Sequence, residues 1–244
     1  MAGSRKPSGK PKRIGTGAGA GRARKPRAQP PATQTARKST AASQTGARAL
    51  TDQLEALGVE VVFGIPGVHN LAIFDALERS SIRTIVVRHE QTAVYAADGY
   101  ARATGRLGVA VTTTGPGAAN TAAAMGEAHA SRSPVLHIST QSESKLLDGR
   151  SGRFSLHESP HQREMMDAVA RWSASASTAE AIPTLVLRGA REAFTGRRGP
   201  AFLEIPHDFL SAPVRWRAQP PLKERGLLPE PVAVERALRV LQNA

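Results

Sequence analysis

From Gly46 onward, short apolar runs alternate with helix-like segments, and this alternation constrains the fold more than any single motif. "GARALTDQLEALGV" places Ala49, Leu50, Leu54 and Leu57 at helical spacing and closes at Gly58. "EVVFGI" reads as a strand, followed by the loop Pro66-Gly67-Val68-His69-Asn70. "LAIFDALERS" is helical, "IRTIVV" is a strand, and Gln91 to Thr104 is a helix stopped by Gly105. "LGVAVTTT" is a strand, Gly115-Pro116-Gly117 a tight loop, Ala118 to Ala130 a helix, and "PVLHIST" a further strand. The strands read as apolar on both faces, which predicts an α/β fold. The expected architecture is a doubly wound, mostly parallel sheet flanked by helices. After a loop-rich passage from Gln141 to Pro160, Ala179 to Thr195 is expected to be helical despite Pro183, and "GPAFLEIP" supplies one more strand. In such sheets ligands bind at the carboxyl ends of the strands.

Charge separates the first segment from the rest. The formal net charge is +13, yet residues 1–50 hold 12 of the 33 Lys and Arg and no Asp or Glu. The remainder, with 21 basic and 20 acidic residues, is nearly neutral. Residues 1–45 are mostly Gly, Ala, Pro, Ser, Thr, Lys and Arg, too poor in large apolar side chains to offset ordering entropy, so a disordered basic tail is expected. Its charge could attract nucleic acid, but without interleaved aromatics the expectation is a solvated tail and no nucleic-acid partner. "GSRKPSGKP" and "GTGAGA" imitate phosphate loops without the spacing, or the strand and helix, that such loops need. An Arg-rich, acid-free start also fits an organellar transit peptide, but its lysines, prolines and weak amphipathicity argue against one. No membrane-spanning apolar run and no apolar leader is found, so a cytoplasmic location is expected. The absence of cysteine excludes a disulfide, a thiolate metal site and a Cys nucleophile. The expected domains are therefore the tail over 1–45, an α/β domain over 46–212, and over 213–244 a proline-spaced linker running into a helix that is expected to start a truncated central domain. In that helix Val234, Leu238 and Leu241 line up.

Three strand ends converge on one edge of this sheet: Ile65-Pro66-Gly67, Arg88-His89-Glu90 and Thr113-Thr114-Gly115-Pro116-Gly117-Ala118-Ala119-Asn120. The glycines let a ligand approach the backbone, and Pro116 stiffens its loop. Glu90 opens a helix whose dipole favours the anion by roughly 0.3–1 kcal/mol. By spacing alone it is either a cap or ion-pair partner, or a carboxylate awaiting a ligand donor. Ala93, Ala97, Tyr100 and Ala101 give that helix a face that allows close packing, inside the subunit or across a dimer interface. A dinucleotide site wants G-x-G-x-x-G and an acidic end to the next strand; Asn120 and Thr140 break that pattern, which argues against a nicotinamide enzyme.

"VVFGIPGVHNLAIFDAL", "VVRHEQTAVYAADGYARATG", "TTTGPGAANTAAAMGEAHASRSPVLHIST" and "RRGPAFLEIPHDFLSAPV" together resemble the N-terminal pyrimidine-binding domain of thiamine-diphosphate enzymes. The nearest group is that of acetolactate synthase, pyruvate oxidase and benzoylformate decarboxylase, and the resemblance runs from about Gly46 to Val214. It implies that Glu90 hydrogen-bonds N1′ of the aminopyrimidine and favours the imino tautomer. The 4′-nitrogen then removes the thiazolium C2 proton before attack on a 2-oxo acid. It further implies that Pro66 and Gly67 line the thiazolium side, and that Thr114, Pro116, Gly117 and Asn120 lie against the aminopyrimidine. His157 stands where many acetolactate synthases have Gln, which leans toward a decarboxylase-like relative; His69 and His157 are candidates for proton transfer. His89, His129, His137, His161 and His207 are expected to be satisfied or solvent-facing.

The family holds Mg²⁺ and the diphosphate with a Gly-Asp-Gly motif and a later Asn, and no Gly-Asp-Gly occurs here. The resemblance therefore implies a homodimer, or a second chain that carries the diphosphate-binding domain, with thiamine diphosphate as cofactor. The alternative is a non-catalytic binding or dimerisation module, or a truncated gene product without activity on its own.

Overall fold

Apolar strands with core on both sides need helices on both sides, and the chain achieves this by reversing the direction of its winding. The computed structural model describes residues 43–147, 156–220 and 229–243. Its strands are β1 (Ser43–Thr45), β2 (Val61–Gly64), β3 (Arg83–Val86), β4 (Gly108–Thr112), β5 (Val135–Gln141), β6 (Trp172–Ser175), β7 (Ala201–Pro206) and β8 (Pro213–Arg215). The helices are α1 (Gly46–Ala56), α2 (Leu71–Glu78), α3 (Glu90–Thr104), α4 (Pro116–Ala119), α5 (Ala122–Ala130), α6 (Gln162–Asp167), α7 (Ala181–Phe194), α8 (His207–Ser211) and α9 (Pro231–Gln242). Six strands form a parallel sheet in the order β3-β2-β4-β5-β7-β6.

The chain steps from β2 outward to β3, then returns past β2 to place β4 on its other side. Crossovers of one hand that run in opposite directions put their helices on opposite faces. Leu50, Leu54, Ile73, Leu77 and Ile182 of α1, α2 and α7 pack with Val62, Val109, Leu136 and Ile138 on one face. Ala93, Val94, Ala97, Met125 and Met166 of α3, α5 and α6 pack with Val61, Phe63, Ala110, Val135 and Phe202 on the other. Neighbouring residues of one strand thus feed different cores, which is why the strands read as continuous apolar runs.

Local chemistry sets the helix ends. Thr45 caps α1 by accepting from the Arg48 amide at 3.2 Å, and Gly58 leaves it with φ +76°. Gly105, at φ +71°, closes α3 and donates to the Ala101 carbonyl at 2.9 Å. The small residues of α3 are used inside the subunit: Ala93, Ala97 and Ala101 are buried, and a Cβ at Gly108 would fall 2.1 Å from the Ala97 carbonyl oxygen.

The structure departs from the sequence-based expectation in several places. β3 is an edge strand, half-exposed rather than covered on both faces, with Val86 61% exposed. The helix expected over Ala118–Ala130 is two helices, interrupted where the buried Thr121 hydroxyl donates to the Ala118 carbonyl at 2.6 Å. β6 and α6 occupy a stretch with little strand or helix periodicity. Residues 43–45, expected in the tail, form β1 and pair antiparallel with β8, a partner too distant in sequence to leave a local signal. Beyond β8, Gln53 holds the chain by donating to the Gln219 carbonyl at 2.7 Å and accepting from the Trp216 indole and the Gln219 amide. The disorder expected for residues 1–42 lies outside the described residues. α9 is exposed throughout, Val234, Leu238 and Leu241 included.

Two stability predictions follow from this packing. Gly108→Ala must drive a Cβ into the α3 backbone and should lower unfolding stability by about 2–3 kcal/mol in urea melts. Gly99→Ala, on an exposed helical position with nothing within 4 Å, should raise it by about 0.5–1 kcal/mol. The second concerns His137, which is fully buried in β5, with Nε2 2.9 Å from the Thr112 hydroxyl; burial pushes its pKa down to about 3. The unfolded chain takes up that proton near the ordinary 6.5, so the group destabilises the fold as pH falls from 6.5 toward 3. Its contribution should approach about 1.4 kcal/mol per pH unit within that window. It should be absent from His137→Gln, so the difference between wild-type and variant denaturation curves should carry this pH dependence.

Candidate functional site

β2, β3 and β4 end side by side, and the crevice at their carboxyl edge lies where the winding reverses. Glu90 is the first residue of α3. The capping role falls instead to His89, whose Nδ1 accepts from the Gln91 amide at 3.2 Å. Among the described residues no ion pair joins Glu90 to Arg88. The Glu90 carboxylate is half-buried, and its Oε2 accepts from the Asn120 amide nitrogen at 3.0 Å. The structure thus brings together two of the expected residues, Glu90 and Asn120, from two different strand ends.

Gly117 completes this group. A Cβ there would fall 2.6 Å from Cγ2 of Thr113, with Glu90 Oε1 at 3.8 Å. Thr113 also faces Gly67, where a Cβ would stand 3.1 Å from its own Cβ. The loops after β2 and β4 therefore meet on one threonine, in a space that side chains at either glycine would fill. The Thr113 hydroxyl is buried without a hydrogen-bond partner. Pro66 is exposed beside Gly67. Asn70, which sequence reasoning did not single out, locks this loop: it accepts from the Gly67 amide at 2.6 Å and donates to the Ile65 carbonyl at 3.0 Å.

The remaining candidates take different positions. Pro116 is exposed as the first residue of α4, where its missing N–H costs nothing. Thr114 is fully buried, and its hydroxyl lies within 3.1 Å of Gln141 Oε1 and 3.3 Å of Gln162 Oε1, beneath the loop rather than lining it. Gly115 has φ +61°, and a Cβ there would collide with the His157 carbonyl oxygen at 2.3 Å. His157 itself is exposed at φ +58°, its ring 6.5 Å from that of His69. His69 is buried and also lies 5.1 Å from His207, a residue expected to be merely satisfied or exposed. Burial first, then the neighbouring His207 and His157, hold the His69 pKa below the ordinary value, so it is neutral at physiological pH. Three imidazoles thus gather beside the crevice, but no group of His, Asp or Glu among the described residues is arranged to hold a metal. A cavity of about 640 Å³ lined by Leu57, Glu60, Arg106 and Phe194 opens at the opposite edge of the sheet and shares no residue with this site.

Sequence reasoning also passed over Gln141, Gln162 and Glu204, which form a buried polar cluster under Thr114 and Gly115. Their signal was weak: two amides and one carboxylate, with Gln141 opening an expected loop, Gln162 in a stretch without clear periodicity and Glu204 in an apolar strand.

Comparison with known proteins bears on this arrangement. Residues 44–170 match the family described as thiamine pyrophosphate enzyme, N-terminal TPP binding domain. A probable 2-ketoarginine decarboxylase of Pseudomonas aeruginosa is 42% identical over 176 residues, 71% of this chain and 31% of the relative. The acetolactate synthase large subunit of Corynebacterium glutamicum is 35% identical over 221 residues, 88% of this chain and 34% of its own length. A probable acetolactate synthase large subunit of Methanocaldococcus jannaschii is 38% identical over 163 residues, 67% and 27% of the two chains. The chain thus spans about a third of the length of the curated relatives it matches. With a parallel sheet that leaves a glycine-lined crevice around a strand-end glutamate, and with more than half its length matched, the chain belongs to the thiamine pyrophosphate enzymes and carries their N-terminal TPP binding domain.

Proposed function

We propose that the chain is the pyrimidine-binding portion of a 2-oxo acid decarboxylase or carboligase, and that Glu90 is the carboxylate that engages the cofactor's aminopyrimidine. The observation that carries this reading is the Glu90–Asn120–Gly117 grouping. Among the described residues the carboxylate neither caps its helix nor forms an ion pair, it is oriented by one amide donor, and it faces a position where a side chain is lacking. The buried, unpartnered Thr113 hydroxyl adds a second polar group on the same crevice. The residues present therefore fit a flat heteroaromatic ring with hydrogen-bonding edges.

When bound, thiamine diphosphate supplies the nucleophilic carbon that a 2-oxo acid requires. The part of this chain is to hold a proton between Glu90 and the ring nitrogen N1′, with Asn120 fixing the carboxylate. Gly67 and Gly117 allow the backbone to close on the ring, and Pro66 and Pro116 stiffen the two loops. Thr114 acts from beneath, through its backbone and buried hydroxyl. His69 and His157 are placed for proton transfer on the side of the β2 loop, where a neutral His69 accepts rather than donates. We further propose that the pyrimidine-binding domain spans residues 46–212, with β1 and residues 213–219 clasped onto it. On this reading Mg²⁺ and the diphosphate are held by a domain outside this segment, on a homodimeric or heteromeric partner, and the enzyme works in the cytoplasm. The reading is supported by relatives named as a 2-ketoarginine decarboxylase and as acetolactate synthases, both far longer than this chain.

The test is Glu90→Gln in the chain assembled with the diphosphate-binding domain of a relative. Exchange of the thiazolium C2 proton, followed by NMR, should slow by about 10²–10⁴-fold, the range for losing a positioned acid–base group. An unchanged exchange rate with intact folding would refute the role of Glu90. Failure of the unsubstituted assembly to bind cofactor would favour a binding or dimerisation module.

A further inference from the structure

Under the Gly115-Pro116-Gly117 loop lies a polar cluster that the proposed chemistry does not use. Gln162, the first residue of α6, is fully buried and has no unused hydrogen-bonding capacity on its nitrogen. Its Oε1 accepts from the Gly115 amide at 2.7 Å and lies 3.3 Å from the Thr114 hydroxyl. Its Nε2 donates to the Thr140 carbonyl at 3.0 Å and to Glu204 Oε2 at 2.8 Å. Glu204, on the central part of the sheet in β7, also accepts from Gln141 Nε2 at 3.2 Å and from the Ser175 hydroxyl at 2.9 Å. All three of its partners donate, so the cluster is complete with Glu204 as an acceptor, and the amide of Gln162 is held in one orientation.

This arrangement is costly unless it does something a set of apolar side chains would not. Burial pushes the Glu204 carboxyl above the usual range, against its hydrogen bonds from Ser175, Gln162 and Gln141. Buried polar groups are tolerated when every partner is present, and what such a cluster supplies in return is a unique geometry. Here the geometry is that of the Thr114–Gly117 loop, which is also tied at its start by the Thr114 hydroxyl to Gln141 Oε1 at 3.1 Å. Gly115 sits in the left-handed region, and its amide points into the protein rather than along the sheet.

We propose that Gln162 is the positioning residue of the Thr114–Gly117 loop, tying it through Glu204 to the sheet and so fixing where Gly117 stands relative to Glu90. This deepens the reading of Glu90 as the pyrimidine carboxylate and rests on it for its functional meaning, but the brace itself is testable without cofactor. Gln141 links the same carboxylate to the Ser159 carbonyl at 2.8 Å, so the segment that carries His157 is held by the same centre.

The experiment is amide hydrogen exchange on the cofactor-free, full-length chain, reading Gly115 against the core amides of Ile138 and Leu203. Gln162→Glu places a second carboxylate where a donor now stands 2.8 Å from Glu204. Gly115 exchange should accelerate about tenfold or more relative to the core, as expected for loss of a buried hydrogen bond. Glu204→Gln combined with Gln162→Glu restores a donor–acceptor pair at that contact and should recover a substantial part of the protection, the lost Thr140 contact and the lost Gln141 bond to the same Glu204 oxygen accounting for the remainder. Should Gln162→Glu fail to fold alone, Gln162→Met removes all four contacts without adding charge and should show the same selective loss. Ser175→Ala weakens Glu204 without touching the loop and should leave Gly115 protected, as should Glu90→Gln. If Gly115 exchange in the Gln162 variants stays unchanged, rises only in step with Ile138 and Leu203, or is not recovered by the exchange of partners, the brace is overturned. Because no cofactor is present, that outcome is separate from the fate of Glu90.

Discussion

The reversal of winding between β2 and β4 is the constraint from which the rest of the site derives. Where crossovers leave in opposite directions, no connecting segment covers the carboxyl end of the gap, and a crevice remains. To keep the two strands in register up to that gap, their backbones must approach closely. Gly64, at the end of β2, does so: a Cβ there would fall 2.3 Å from the Val111 carbonyl oxygen, and the next residue's amide already bonds to that carbonyl at 3.3 Å. Beyond this point the loops diverge and meet again only across Thr113, with glycine on each side. The crevice is therefore bounded by backbone, and the side chains that enter it are few.

The contrast between Glu90 and Glu204 shows how position assigns different work to the same functional group. Glu204 is nearly buried and surrounded by three donors. Hydrogen bonds to a charged group are worth about 1.5–3 kcal/mol each, and together they offset a desolvation cost of several kcal/mol. With its acceptor capacity toward the protein taken up, it has little left for a ligand. Glu90 is half-buried, takes one amide hydrogen bond, and gains only about 0.3–1 kcal/mol from the helix behind it. That is too little to explain a carboxylate at this place as a stabilising device. Its Oε1 is turned toward the Gly117 backbone.

Legibility in the sequence followed the range of the interactions concerned. The alternation of elements, the Gly58 and Gly105 helix ends and the convergence of three strand ends depend on neighbours in the chain, and all were readable. Glu90 was readable as a position, but whether it capped, paired or waited for a ligand was not. The deciding contact is with Asn120, 30 residues on. The break at Thr121 escaped notice because an alanine-rich run favours helix at every residue, while the hydroxyl that interrupts it is one side chain. β1 was invisible because its partner is β8 at the other end of the domain. Gln162 and Glu204 were missed for the same reason, their hydrogen bond joining residues 42 apart. Thr114 was expected beside the aminopyrimidine by resemblance alone, and its buried contacts with Gln141 and Gln162, 27 and 48 residues away, had no local signal. The structure turns it inward, because the side chains of successive residues at a strand end point to opposite sides.

These distances also order the site in a hierarchy. The contacts that place Glu90 are local to a strand end and one loop, while those that place the loop reach into the sheet through α6 and β7. A change at Gln162 therefore acts on Gly117 without altering the strand that carries Glu90, whereas a change at Gly64 or Gly108 disturbs the sheet that supports both. The position of the glycine loop and that of the carboxylate are thus held by separate parts of the fold. Among the described residues the Asn120 amide bridges them at the surface; it is exposed and depends on both being in place. A carboxylate positioned from one side and a glycine loop positioned from the other meet at a fixed distance only when the interior cluster is intact. This gives the buried Glu204 an indirect hold on the geometry around Glu90.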